Sequence, residues 1–375
     1  MWIRSSEDLD RLTGELANID EIAVDTEGDS LHHYPARLAL IQVGDAAGHA
    51  WLVDPIAIGD LAPLGPLFAG GRPLLVLHAG DNDLIILKRR YGFAFGAMFD
   101  TSLAARFLGA RALGLDVLLE TYLGVMLPPS RQKDDWSARP LTEAQERYAI
   151  ADVAHLIPLK DHLREQLAQI GRLAWVEEEC AAVAADIVTD PQPDPDAYLG
   201  VKGARQLAPR ALAILRELYA AREELALAAD RPPFKVLGEE VLLRLTLAAP
   251  ADDAALATTP GCTPRVVGRW GGAILGAIER ARALPESRLP SPSPPPHGRP
   301  LSAAARKRIE AVRRWREEAA PRVGLDPGVL LPNRLIRAIA EAAPGDADSL
   351  GRVDGIRRWR VEEFGAEILR AVALG

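Results

Sequence analysis

The chain repeats itself, and the repeat limits what its rear half can be. Residues 221–250 (AREELALAADRPPFKVLGEEVLLRLTLAAP) overlay residues 315–344 (WREEAAPRVGLDPGVLLPNRLIRAIAEAAP) without a gap, at an offset of 94 residues. Arg222-Glu223-Glu224 falls on Arg316-Glu317-Glu318, Pro250 on Pro344, Leu256 on Leu350 and Gly261 on Gly355, and 270–278 falls on 364–372. Apolar character persists where identity fails, as in Leu242 over Ile336 and Leu245 over Ile339. Self-similarity at a fixed period, with apolar residues at helical spacing, indicates a duplicated all-helical module. Neither copy holds a cluster of catalytic side chains, so the modules are expected to bind rather than to react.

Between the copies lies 284–300, with seven prolines in 17 residues, a composition expected to form an extended, semi-stiff spacer rather than a packed element. DPQPDPD (190–196) is a second polar, proline-rich boundary. The expected organisation is a front domain over 1–190, helical modules over 205–283 and 301–375, and a linker over 284–300.

Charge follows this division. Residues 1–200 carry 16 basic against 31 acidic side chains, residues 201–300 carry 14 against 10, and residues 301–375 carry 14 against 11. The front portion alone would repel a polyanion, so attraction to a phosphate backbone is expected from metal ions or from the rear modules. The densest basic stretch is 305–317, where Arg306, Lys307, Arg308, Arg313, Arg314 and Arg316 face only Glu310 and Glu317. No apolar run approaches the roughly 20 residues of a membrane span. The N-terminus lacks the apolar core of a signal peptide. Cys180 and Cys262 are too few and too far apart for a disulfide framework or a thiolate zinc site. The expected location is the cytoplasm.

The front domain alternates strands and helices. Strands are expected over 21–26, 37–44, 49–55 and 73–80, with the second and third joined as a hairpin through DAAG. A helix over 81–91 ends at Gly92. Residues 127–140 lack periodicity and read as a loop, followed by a helical region over 140–171. Thr142 and Gln145 form a capping box at the start of that region, and Pro158 should divide it. This order gives an α/β domain with a mixed sheet.

Four acids stand out against that frame. In VDTEGDS, Asp25 and Glu27 are two apart at the end of a strand, so both point to one face. Two such carboxylates raise each other's pKa unless a cation lies between them, and an all-oxygen pair suits Mg²⁺ or Mn²⁺. In HAGDNDL, Asp81 suits the helix N-cap and Asp83 the first turn. Tyr148 and Asp152 are i and i+4 on one helix face, and Asp152 lies mid-helix, where it gains nothing from a cap or the helix dipole. Each feature alone also fits a cap, an acidic turn or a solvated surface.

Taken together, VDTEGDS, LALIQVG, HAGDNDL, KDDWSARPL and YAIAD resemble, in order and spacing, the motifs of the DEDD exonucleases in the subgroup whose last motif carries a tyrosine. Among these the chain is most similar to the bacterial ribonuclease D family, because the repeated modules resemble the HRDC (helicase and ribonuclease D C-terminal) domain and that family carries two. The resemblance implies a ribonuclease H-like exonuclease domain with a mixed sheet, followed by two all-α HRDC-like domains. It implies that Asp25, Glu27, Asp83 and Asp152 hold two divalent cations, Mg²⁺ or Mn²⁺, that clamp the oxygens of an in-line displacement. Asp25 would bridge the ions, Glu27 and Asp152 complete the attacking-water site, and Asp83 the leaving-group site. Tyr148 would position the water rather than act as a free base. The implied reaction is 3′→5′ trimming of RNA ends, such as tRNA precursors or other small structured RNA, with release of nucleoside 5′-monophosphates by a monomer.

Four further residues are candidate substrate contacts, each beside a plainer role. His78 is a nucleotide contact or a satisfied core histidine, and Gln42 a ribose contact or a strand-edge residue. Lys133 and Trp136 meet the substrate backbone, or Trp136 plugs its loop onto the domain. His32 and His33 lie beside the acids but suit a polar loop better than hard-metal chemistry. A DNA 3′→5′ exonuclease acting on single-stranded DNA and a nucleic-acid-binding scaffold remain as alternatives. A dinucleotide-binding enzyme is excluded, since no G-x-G-x-x-G follows the first strand.

Overall fold

In the computed structural model, residues 1–189, 194–291 and 301–375 are described. They fall into two compact units. One comprises Met1–Glu27, Leu38–Thr189 and the second helical module; the other joins Gly28–Arg37 to the first helical module.

The first unit is built on a six-stranded mixed sheet. Its strands are β1 (Trp2–Ile3), β2 (Glu21–Gly28), β3 (Leu38–Asp45), β4 (Ala50–Val53), β5 (Leu74–Leu77) and β6 (Met98–Asp100), ordered β1-β4-β3-β2-β5-β6. The β3–β4 hairpin is antiparallel (Ile41 opposite Val53, Val43 opposite Trp51), while β2–β5 and β5–β6 are parallel. Alternation along β2 sorts its side chains. Ile22 and Val24 enter the main core, and Ala23 packs on the other face against Val153, Leu156 and Ile157. Asp25 and Glu27 share the parity of Ala23, so they extend that second face toward the helix Glu143–Ala154. This helix lies close to the sheet because Gly44 presents no side chain to it; a Cβ there would lie 3.2 Å from the Val153 carbonyl.

The helical region behaves as its sequence predicts. The Thr142–Gln145 capping box opens helix Glu143–Ala154, and the chain breaks at His155 before helix Leu156–Gln169, which carries Pro158 in its first turn. The N-terminus of helix Asp81–Tyr91 differs from the expectation. Gly80 is the N-cap and Asp81 is already helical, because the Gly80 N–H is held by Asp100 Oδ2 at 2.9 Å, which fixes the cap one residue earlier.

The two helical modules keep their repeat in three dimensions. Helices Glu239–Ala248 and Asn333–Ala342 both end on an alanine with positive φ, Ala249 at 41° and Ala343 at 48°. Gly261 and Gly355 share a positive φ as well. Arg222 and Arg316 are both buried and each pairs with the glutamate that follows it. Arg316 therefore leaves the basic surface predicted for 305–317; its guanidinium bonds Leu331 O and Asn333 Oδ1 at 3.0 Å. Arg306, Lys307, Arg313 and Arg314 remain exposed. Part of the expected spacer is ordered, since Glu286–Arg288 forms a 3₁₀ turn. Residues 292–300 and 190–193 lie outside the described residues.

The second module shares a core with the front domain. Trp359 stacks on Trp175 with ring centroids 4.6 Å apart and meets the edge of Phe107 at 5.5 Å. Glu178 accepts the Trp359 N–H at 3.0 Å, and Glu179 takes the Trp359 indole N–H and the Arg357 guanidinium at 3.1 Å, together with Arg360. In the other unit, Tyr34 enters the core of the first module, donates its hydroxyl to Glu223 at 2.7 Å and its N–H to Asp230 at 3.1 Å.

Candidate active site

Asp25, Glu27 and Asp152 converge, each offering a carboxylate oxygen within 4.8 Å of the others. Two come from the end of β2 and the third from the helix packed over it. Asp83 reaches the same place from the adjacent strand. Because β2 and β5 are parallel, with Ala23 opposite Val76, the turn after β5 sets Asp83 beside Thr26, whose hydroxyl donates to its carboxylate. All four acids and Tyr148 line one cavity of about 610 Å³.

The cluster is electrostatically loaded. Burial, then the charges of Asp83, Asp152 and Glu27, push Asp25 well above the usual carboxylate range. Burial together with Asp152 and Asp83 takes Glu27 to about 8. Burial lifts Asp152 to about 7 against the opposing hydrogen bond from Tyr148, and lifts Asp83 to about 6 against that from Thr26. Without a counter-charge Glu27 is mostly protonated at neutrality and Asp152 about half so. An all-oxygen, self-repelling, partly buried set is what a hard divalent cation would relieve. The residues therefore fit a divalent metal site.

Tyr148 donates to Asp152 and accepts from Ser130. Burial and the neighbouring acids raise its pKa beyond the usual tyrosine value, so the hydroxyl stays protonated. Its ring is backed by Trp136, with centroids 6.1 Å apart. Arg139 pins that support, bonding the Trp136 carbonyl at 2.7 Å while pairing with Asp54 at 2.7 Å and with Ala39 O at 2.7 Å.

The other predicted contacts divide. Trp136 is fully buried and does not line the cavity, so it cannot meet a substrate there; it plugs its loop onto the domain behind Tyr148. Gln42 is also fully buried, on a strand covered by helix Glu143–Ala154, and does not reach the cavity wall. Lys133 is exposed in the loop but is not part of the wall. His78 does line the cavity, yet its ring is already engaged: Nδ1 lies 2.9 Å from Thr101 Oγ1, and the ring bonds the backbone of Leu113. It joins the end of β5 to the loop at Leu113. His33 lies 2.8 Å from Asp230 instead of joining the acids.

Sequence reasoning passed over Thr26, Asn82, Ser130 and Gln132, which all line the cavity. Thr26 and Asn82 each precede a motif acid, and Ser130 and Gln132 lie in the aperiodic loop before Trp136. That adjacency was the only signal available.

Comparison with known proteins adds the following. The family described as "3'-5' exonuclease" matches residues 1–168, and the HRDC domain matches twice, at 211–278 and 305–372. Ribonuclease D of Pseudomonas paraeruginosa (strain DSM 24068 / PA7) is 34% identical over 99% of this chain and 97% of its own length. Ribonuclease D of Acidiphilium cryptum (strain JF-5) is 34% identical over 98% and 92%. Among solved structures, Escherichia coli RNase D, described as an exoribonuclease involved in structured RNA processing, aligns with a TM-score of 0.72 and 28% identity over 100% of this chain and 98% of that one. A protein from Bifidobacterium adolescentis shares the fold with a TM-score of 0.81 at 23% identity, over 99% and 96%.

Proposed function

The chain belongs to the ribonuclease D family and is a 3′→5′ exoribonuclease, and on that premise we propose that it removes RNA 3′-terminal nucleotides by two-metal-ion hydrolysis at Asp25, Glu27, Asp83 and Asp152. The observation that carries this reading is the convergence of Asp25, Glu27 and Asp152 within 4.8 Å in a cavity that raises their pKa values. Mg²⁺ or Mn²⁺ bound there would supply charge neutralisation, a lowered pKa for bound water and stabilisation of the leaving oxygen.

The chain's own groups do the rest. Asp25, which feels the charges of Asp83, Asp152 and Glu27, would help hold both cations. Glu27 and Asp152 would help hold the cation on the attacking-water side, and Asp83, fixed by Thr26, the cation on the leaving-group side. Tyr148 keeps its proton and orients the water by hydrogen bonding, while Ser130 and the Trp136 wall hold the phenol in place. The departing groups are a nucleoside 5′-monophosphate and a new 3′-hydroxyl.

We assign residues 1–190 to the exonuclease domain, 205–283 and 301–375 to the HRDC modules and 284–300 to the linker. The substrates are tRNA precursors or other small structured RNA in the cytoplasm, handled by a monomer. The test pairs linear and circular single-stranded RNA of one sequence with product analysis. Linear RNA should yield nucleoside 5′-monophosphates while circular RNA stays intact; rapid cleavage of the circle would show an endonuclease.

A further inference from the structure

A larger groove of about 870 Å³ adjoins the catalytic cavity. One wall is segment 106–113 of the front domain, and the other is segment 317–329 of the second helical module. Leu113 lines both the groove and the catalytic cavity, so the two adjoin at that side chain. The walls are held at a fixed spacing. Arg172 donates to the carbonyl of Phe107 on one side, at 2.8 Å, and to that of Val323 on the other. Gly109 has a φ of +85°, and a Cβ there would lie 2.7 Å from the Gly324 carbonyl oxygen, so only glycine allows the two backbones this approach.

The groove's charges are not equivalent. Its two acids are engaged: Glu317 pairs with Arg316 at 2.9 Å, and Asp326 caps the Gly328 N–H at 2.7 Å. Its two arginines, Arg106 and Arg111, are exposed, and among the described residues neither has a carboxylate within 4.0 Å. In a front portion with 16 basic against 31 acidic side chains, these two arginines put positive charge on the groove wall, that of Arg106 being felt also by Asp81. A guanidinium presents a planar fork that suits a phosphate diester.

We propose that this groove holds the single-stranded RNA immediately upstream of the 3′-terminal nucleotide, with Arg106 and Arg111 on its backbone phosphates. The proposal rests on the exoribonuclease reading and specifies the path: the strand leaves the acids, passes Leu113 and runs between the front domain and the second module. The sequence offered no sign of this, because the two walls are about 200 residues apart in the chain and each arginine alone looks like ordinary surface charge.

The test uses the full chain and a double variant, Arg106→Ala with Arg111→Ala. Both side chains are exposed and, among the described residues, neither forms an ion pair within 4.0 Å, so the fold should be unaffected. Affinity is read in EDTA by fluorescence anisotropy on a labelled hairpin with a single-stranded 3′ tail, and on the same hairpin with a blunt end. Hydrolysis of a dinucleotide is followed in Mg²⁺. The variant should bind the tailed hairpin roughly tenfold more weakly. Its log–log salt slope should fall by about 1.4, from about 0.7 per lost contact, and it should hydrolyse the dinucleotide like the parent. Unchanged affinity and slope, an equal loss on the blunt hairpin, or an equal loss on the dinucleotide would each overturn the proposal. Failure of the parent to hydrolyse the dinucleotide would instead count against the nuclease assignment, and it is read separately from the anisotropy.

Discussion

Replacing Glu27 with glutamine should stabilise the metal-free protein while destroying its activity. Burial and the charges of Asp152 and Asp83 raise Glu27 from its ordinary 4.5 to about 8. Between those values the folded chain keeps a proton that the unfolded chain has released, so stability is lost as the pH rises through that window. Each unit corresponds to about 1.4 kcal/mol, which puts the ceiling at about 5 kcal/mol at pH 8 and above. The neighbouring acids share the same repulsion and water relaxes part of it, so about 2 kcal/mol is the expected gain for Glu27→Gln. For a unit of this size that corresponds to a rise of about 4–8 °C in Tm. Thermal melts in EDTA across pH 5 to 8.5 measure it. Parent and variant should lie closest at the acid end and separate as the pH rises. Mg²⁺ should then stabilise the parent more than the variant. Superimposable pH profiles, or a variant that melts lower at pH 8, would refute the picture of a self-repelling site.

Two further perturbations separate chemistry from scaffolding. Tyr148→Phe removes the hydroxyl shared with Asp152 and Ser130 but leaves the ring against Trp136; kcat should fall by about 10²-fold with Tm nearly unchanged, read by single-turnover cleavage. Trp359→Ala opens the stack with Trp175 and Phe107; it should cost about 3–5 kcal/mol, a Tm drop near 10 °C by calorimetry, although it touches none of the four acids.

Much of the site was legible because its signals are local. A strand end with acids two apart fixes their common face, and a tyrosine four residues before an aspartate fixes theirs. The repeat was equally plain, since an offset of 94 residues is visible without any fold. Burial was harder to read. Trp136 and Gln42 look like substrate contacts when only their neighbours in sequence are known, yet the first is held inside by Arg139 and the second lies under a helix that Gly44 admits. The joining of the second module to the front domain was also hidden. It depends on Trp359 meeting Trp175, 184 positions away along the chain, with Glu178 and Glu179 as acceptors. Removing residues 284–375 would therefore bare Trp175 and Phe107, so point substitutions test that module more cleanly than truncation does.

The central claim is that the convergent acids drive metal-dependent removal of 3′-terminal nucleotides. The most direct measurement is a gel time course of 5′-labelled single-stranded RNA with Mg²⁺, with Mn²⁺ and with EDTA, for the parent and for Asp25→Ala. The account predicts a ladder that shortens one nucleotide at a time in either metal and an intact band in EDTA. For Asp25→Ala it predicts an intact band under all three conditions, with the circular dichroism spectrum of the parent. A full ladder in EDTA, or from Asp25→Ala, would contradict it.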